Sequence, residues 1–317
     1  MDLNTRSLRI VEALAARAEE RRVVVHTVEE GGRVIDCGVE ARGGLFAGLD
    51  LARICLADLA EVAIVPGEVA GRACPGVQVV TDHPVAACLA SQYAGWQLVE
   101  GKFFAMGSGP MRAAYGHEKL FDGIGHREAP DAVVGVLEGR KLPTAAVVAK
   151  VAEACRVAPE GVTLLIAPTA SLAGGVQVVA RSVETALHKL HELGFDLDRI
   201  VSAVGTAPLP PVAADDLAAI GRTNDAILYG ASVVLHVTGD DASLETVGPS
   251  VPSTGSRDHG EPFAAIFARY NHDFYAVDPN LFSPAVVLFQ NVETGRVHAF
   301  GRLAPEILAR SFFGEDA

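Results

Sequence analysis

Two charged side chains three residues apart, Arg181 and Glu184, are the strongest candidates for chemistry in this sequence. They lie in the stretch 171–194, SLAGGVQVVARSVETALHKLHELG. On a helix, Gln177, Arg181, Glu184, His188 and His191 are successive neighbours on one face, because positions three and four apart are adjacent. At roughly 100° per residue, Glu184 lies about 40° from Ala180, at the edge of the apolar stripe. A carboxylate there is partly desolvated yet still reaches a ligand, and a guanidinium one turn earlier holds it ionised. The duller alternative is a surface ion pair worth a few tenths of a kcal/mol.

Other candidates are weaker. Gly107-Ser108-Gly109-Pro110 resembles a backbone nest before a helix start, which suits an oxyanion or phosphate, though a tight structural turn fits as well. Asp82, His83 and His117, with Cys88 and His126 nearby, invite a metal, but no H-x-x-x-H or C-x-x-C spacing supports one. Ser171 and Ser91 lack a G-x-S-x-G elbow. Asp215-Asp216 and Asn224-Asp225 read as helix caps or solvated residues. Glu138 closes a strand just before Gly139, where parallel sheets place ligand groups, although an exposed turn glutamate is the simpler reading.

The elements that must hold these groups alternate between strand and helix. The central stretch reads as one uninterrupted helix: Val176, Val179, Ala180, Val183, Leu187 and Leu190 form its apolar stripe, and Gly194 stops it. Before it, the pattern predicts a helix over 1–22, strands at 23–28 and 33–37, a helix at 45–60, strands at 62–65 and 77–81, and a helix from Pro84 to Tyr93 capped by Asp82. Residues 96–114 show no clear period and read as loop. Then follow a strand at 132–137, a helix at 145–155 and a strand at 162–167. After the central helix come a strand at 200–205, a helix at 215–229, a strand at 232–237, a long loop over 239–260, and a hairpin at 286–300. This order specifies a layered α/β or α+β protein.

At 317 residues the chain is long enough for two domains. Its formal net charge of -13 excludes broad phosphate-backbone contact, so nucleic acid is not an expected partner. No apolar run approaches the roughly 20 residues that span a bilayer. Cys37, Cys55, Cys74, Cys88 and Cys155 are odd in number and scattered, as expected of buried reduced thiols in a cytoplasmic protein.

Several long segments together resemble the methenyltetrahydromethanopterin cyclohydrolase family. They are ICLADLA (54–60), TDHPVAACLASQYAGW (81–96), GKFFAMGSGPMRA (101–113), APTASLAGGVQVVARSVETALHKLHELGFDLDRI (167–200), APLPPVA, AIGRTNDAILYG (219–230) and DFYAVDPNLFSPA (273–285). They keep the family's order from about Asp36 to Gly301, and blocks this long are far more specific than any short motif in the chain. The resemblance implies one cyclohydrolase unit over 1–317, built as two interleaved α/β subdomains with mixed sheets and a pterin cleft between them. It implies a homotrimer, no metal or redox cofactor, and hydrolysis of 5,10-methenyltetrahydromethanopterin to the 5-formyl compound in one-carbon metabolism. The family's catalytic arginine and glutamate fall on Arg181 and Glu184.

Those residue types suit that chemistry. The methenyl carbon lies between two nitrogens as a delocalised cation and is already electrophilic; it lacks a positioned, deprotonated water. Glu184 is expected to supply that water and to favour the cationic substrate, and Arg181 to donate to the developing oxygen. The resemblance also assigns Ser91, Gln92 and the segment Phe103–Gly109 to the lining of the pterin cleft. It assigns Glu138 to the pterin amino group, with Gly107 and Ser108 alternatively on the ligand's acidic tail. Two rivals stand beside this expectation: a metal-assisted hydrolase using Asp82, His83 and His117, and a pterin-binding carrier without turnover.

Overall fold

The computed structural model describes residues 2–314; Met1 and residues 315–317, included in the expected 1–317 unit, lie outside the described residues. In chain order it forms α1 (Leu3–Ala16), α2 (Ala18–Arg21), β1 (Val24–Thr27), β2 (Arg33–Asp36), α3 (Leu45–Cys55), β3 (Glu61–Val65), β4 (Glu68–Val69), β5 (Arg72–Ala73) and β6 (Gly76–Thr81). A π-helix, Val85–Gln92, leads to β7 (Trp96–Glu100), β8 (Phe103–Ser108), α4 (Met111–Tyr115), α5 (Leu120–Ile124), β9 (Val133–Glu138), α6 (Ala145–Cys155) and β10 (Val162–Ala167). Then come α7 (Leu172–Val179), α8 (Ser182–Glu192), β11 (Ile200–Pro208), α9 (Asp216–Gly230), β12 (Ser232–Val237) and α10 (Asp241–Val247). The chain closes with α11 (Phe263–Arg269), β13 (Val286–Asn291), β14 (Val297–Gly301) and α12 (Pro305–Phe313). The fold is mixed α/β, as the alternation of elements requires. It divides into two compact units, one from the chain up to Ala60 with Val85–Gln177, the other from Glu61–Pro84 with Val178 onward.

The first unit is built on a six-stranded sheet in the order β1-β2-β10-β9-β8-β7, with β2, β10 and β9 parallel. Its parallel strands are nearly all apolar because both faces are covered. Val34, Val133, Leu137, Leu164 and Ile166 join Val147, Val148 and Val151 of α6 in one core. Their neighbours Ile35, Val134, Val136 and Leu165 join Val11 and Leu14 of α1 and Leu51 and Ile54 of α3 in the other. Each such side chain contributes about 1.5–3 kcal/mol by leaving water.

The second unit carries the order β14-β13-β12-β11-β6-β3, with β12 and β13 parallel and the other pairs antiparallel. On one face Val77, Val79, Ala203, Ala207, Val233, Leu235, Val287 and Phe289 are buried. The helix α8 packs on β11 and β12 through Val183, Leu187 and Leu190, which are fully buried.

Five sequence expectations need correction. The helix expected over 1–22 is two, α1 and α2, because Arg17 leaves helical geometry (φ −117°, ψ 27°). Residues 171–194 are two helices, broken at Ala180-Arg181, because Arg181 leaves helical geometry (φ −90°, ψ 9°) and its N–H bonds Val178 O at 3.2 Å. Residues 96–114 form the β7–β8 hairpin and α4; the turn uses Gly101 at φ +56°. Its alternation is masked because the outward positions hold Val99 and Phe104, both apolar and about half exposed. The helix α3 stops at Cys55, since Ala57 and Asp58 turn left-handed and their carbonyls accept from Arg6. The segment 239–260 contains α10, capped by Asp240, whose side chain accepts from Ser243 N.

Candidate functional site

The break before α8 determines how Arg181 and Glu184 are presented. Arg181 takes the N-cap position and Glu184 the third helical position, so a carboxylate sits in the first turn, where the backbone N–H groups point outward. The helix macrodipole favours a negative charge there by about 0.3–1 kcal/mol, more when partly buried. Thr185 fastens the turn: its N donates to Arg181 O at 2.9 Å, and its Oγ1 donates to Ser182 O at 3.0 Å. Arg181 is 7% exposed and Glu184 4%, which rules out the simple surface ion pair. Charged groups this desolvated are costly to bury without compensating partners.

The floor under that turn is a glycine. A Cβ on Gly205 of β11 would lie 2.4 Å from Ser182 Oγ and 2.8 Å from Val183 Cγ2. The first turn of α8 approaches the sheet this closely only because β11 has no side chain at that point.

In the first unit, the C-terminal ends of the parallel strands gather a second polar set. Glu138 ends β9, paired with Ala167 of β10 and Met106 of β8. Its Oε1 accepts a hydrogen bond from Thr169 Oγ1 in the β10–α7 loop. At the end of β2, Asp36 is fully buried and accepts from the N–H groups of Gly38, Val39, Glu40 and Ala41 at 2.7–2.9 Å. Burial raises its pKa, but these four donors outweigh that and hold the carboxyl below its ordinary range. Ser171 caps α7, accepting from Gly174 N at 3.0 Å and donating to Pro168 O at 2.7 Å. Sequence inspection missed Thr169. The available signal was its place two residues past a parallel strand, where such sheets hold ligand groups.

The remaining candidates lie on the π-helix and the β7–β8 hairpin of the same unit. Ser91 and Gln92 are fully buried, and Ser91 Oγ donates to Cys55 O at 2.6 Å. Ser108 Oγ donates to Val136 O at 3.0 Å and lies 3.2 Å from Cys55 Sγ. Phe103 belongs to the core, and Gly107 faces Trp96, where a Cβ would meet the Trp96 carbonyl at 3.0 Å. The Gly109 N–H of the expected nest donates to Ser91 O at 2.8 Å, and the helix that follows has only five residues. A π-helix is itself a frequent mark of a functional segment.

Among the described residues no three His, Cys, Asp or Glu side chains are placed to share a metal ion. Asp82 accepts from Ser202 Oγ at 2.7 Å instead of capping the π-helix. Asp215 caps α9 as expected, accepting from Ala218 N at 2.9 Å. Asp225, expected to be a cap or solvated, is fully buried, and burial pushes its carboxyl up to about 7. All five cysteines are buried, and none forms a disulfide among the described residues. No helix among the described residues is long and apolar enough to cross a membrane.

Comparison with known proteins bears on the whole chain. The family model described as "Cyclohydrolase (MCH)" matches residues 2–312. A methenyltetrahydromethanopterin cyclohydrolase of Methylobacterium sp. (strain 4-46) is 49% identical over 98% of this chain and 97% of its own. Proteins of the same name are 50% identical in Rhodopirellula baltica, over 89% of this chain and 86% of that one, and 40% identical in Methanococcoides burtonii, over 98% of both.

Proposed function

As the chain belongs to the cyclohydrolase (MCH) family, we propose that it hydrolyses 5,10-methenyltetrahydromethanopterin, or a close carrier variant, to the 5-formyl compound in one-carbon metabolism. The observation that carries the mechanism is the buried Arg181–Glu184 arrangement at the first turn of α8. Glu184 orients a water and takes one of its protons as the oxygen bonds to the methenyl carbon. Such a base contributes about 10²–10⁴-fold. The cationic amidinium becomes a neutral carbinolamine. The bond from that carbon to the second nitrogen then breaks, the nitrogen takes a proton, and the carbon becomes the formyl group on N5. One water is consumed and one proton released. Arg181, at the N-cap of the same helix, donates to the oxygen as it gains charge. No electron is transferred, so the step requires no redox cofactor, and the substrate's own positive charge replaces a Lewis acid.

Substrate recognition draws on the first unit, with Glu138 accepting from the pterin amino group and Ser91, Gln92, Phe103, Gly107 and Ser108 shaping the segment around the ring. We place the enzyme in the cytoplasm, since five buried cysteines that form no disulfide among the described residues suit a reducing compartment. We assign it a homotrimeric state, which light scattering tests as a mass three times the 33.1 kDa chain.

The deciding experiment adds purified protein to the methenyl pterin and follows the loss of its near-ultraviolet absorbance, beside a parallel run with methenyltetrahydrofolate. Catalytic loss with the methanopterin carrier supports the assignment. Stoichiometric binding without turnover makes the protein a carrier and overturns it.

A further inference from the structure

The carboxylate that ends β9 is held by a partner of its own. Glu138 is anchored at its backbone, in register with Met106 on one side and Ala167 on the other, and the next N–H, Gly139, donates to Ala167 O at 3.3 Å. That leaves three side-chain torsions free, and their ordering opposes any ligand that needs the carboxylate in one plane. Thr169 supplies the missing constraint. It is 5% exposed, β-branched and therefore stiff, and its Oγ1 donates to Glu138 Oε1. Its loop is fixed in turn by Ser171 Oγ donating to Pro168 O at 2.7 Å. Glu138 Oε2 makes no hydrogen bond among the described residues.

We infer that Thr169 is a positioning residue for pterin recognition, holding the Glu138 carboxylate in the orientation that accepts the donor edge of a 2-amino-4-oxopyrimidine ring. This rests on the proposal above that Glu138 meets the pterin amino group. The chemistry is specific. Such a ring presents two parallel donors, the ring N–H and one hydrogen of the amino group, which match the two oxygens of a carboxylate. A carboxylate has about four lone-pair sites; the threonine hydroxyl occupies one and leaves the ligand-facing pair available.

The test is a set of purified variants assayed by methenyl-pterin absorbance loss, with thermal melts run alongside. Thr169→Val keeps the volume and deletes the donor. It is expected to raise KM about tenfold, the worth of one hydrogen bond to a charged group, with kcat within about twofold of the parent. Thr169→Ser restores the donor and is expected to return KM to the parent value. Glu138→Gln is expected to raise KM at least as much, and adding Thr169→Val to it to change KM no further. A parental KM in Thr169→Val with a raised KM in Glu138→Gln overturns the role of Thr169 alone. A parental KM in Glu138→Gln overturns the Glu138 assignment beneath it. Loss of kcat and melting temperature in Thr169→Val, unrescued by serine, makes Thr169 a structural residue and overturns the inference.

Discussion

Replacing Gly205 by alanine tests whether the height of α8 above its sheet sets catalysis. The added Cβ would stand 2.4 Å from Ser182 Oγ and 2.8 Å from Val183 Cγ2, against about 3.4 Å for ordinary contact. The deficits are therefore 3.4 − 2.4, about 1.0 Å, and 3.4 − 2.8, about 0.6 Å. Rotating Ser182 relieves the first contact. The second lies on a fully buried valine in the first turn of α8, so the turn itself must rise by about half an ångström or more. Overpacking of this kind costs about 1–3 kcal/mol. Glu184 rides on the same turn, and a displacement near 1 Å of a catalytic group can cost about 10²-fold in rate. Gly205→Ala should thus lower kcat by roughly 10- to 100-fold with a smaller change in KM, and lower the melting temperature by several degrees. Absorbance-monitored turnover and a thermal melt read the two effects. Gly205→Ala with Ser182→Ala removes one of the two clashes and should recover part of the rate. Parental kcat and melting temperature in Gly205→Ala would refute the claim that this close approach positions the base.

Glu184→Gln keeps the shape of the side chain but cannot take a proton, and should lower kcat by about 10²–10⁴-fold with the melting temperature preserved or raised; nearly full turnover in that variant removes Glu184 as the base. Asp225, pushed up by burial to about 7 against an ordinary 3.8, gives a pH dependence of stability. Between about pH 4 and 7 the folded chain retains a proton that the unfolded chain has lost, so this group's contribution falls as pH rises through that window and is level above it. The full effect is on the order of 4 kcal/mol, (7 − 3.8) × 1.36. Asp225→Asn can still accept from Phe263 N, and should flatten the pH dependence and raise the melting temperature at pH 8; an unchanged pH profile by calorimetry refutes it. Asp36→Asn loses acceptor capacity for the four loop N–H groups and should destabilise the first unit by about 2–4 kcal/mol at pH 7, read by denaturant unfolding.

Much of the architecture was legible because it follows local rules. The boundaries of α6, β10 and β12 match their sequence patterns, since each is a dense apolar run or stripe with clear punctuation. The hairpin at β7–β8 was not legible, because Val99 and Phe104 on its outward face erase the contrast between buried and exposed positions. The break at Arg181 left no mark either: no glycine or proline stands there, and the apolar stripe runs on through Ala180 and Val183.

By itself the sequence determined the α/β class, the family, and Arg181 and Glu184 as the pair to examine, because these depend on residue types and spacings along the chain. Only the tertiary structure decided that Glu184 sits in the first turn of a separate helix, that Gly205 lets that turn approach the sheet, and that Thr169 holds Glu138. Each of these depends on segments distant in sequence meeting within a few ångströms. The energies at stake are desolvation, steric overlap and hydrogen-bond geometry, all of which are properties of the assembled neighbourhood and of no single segment.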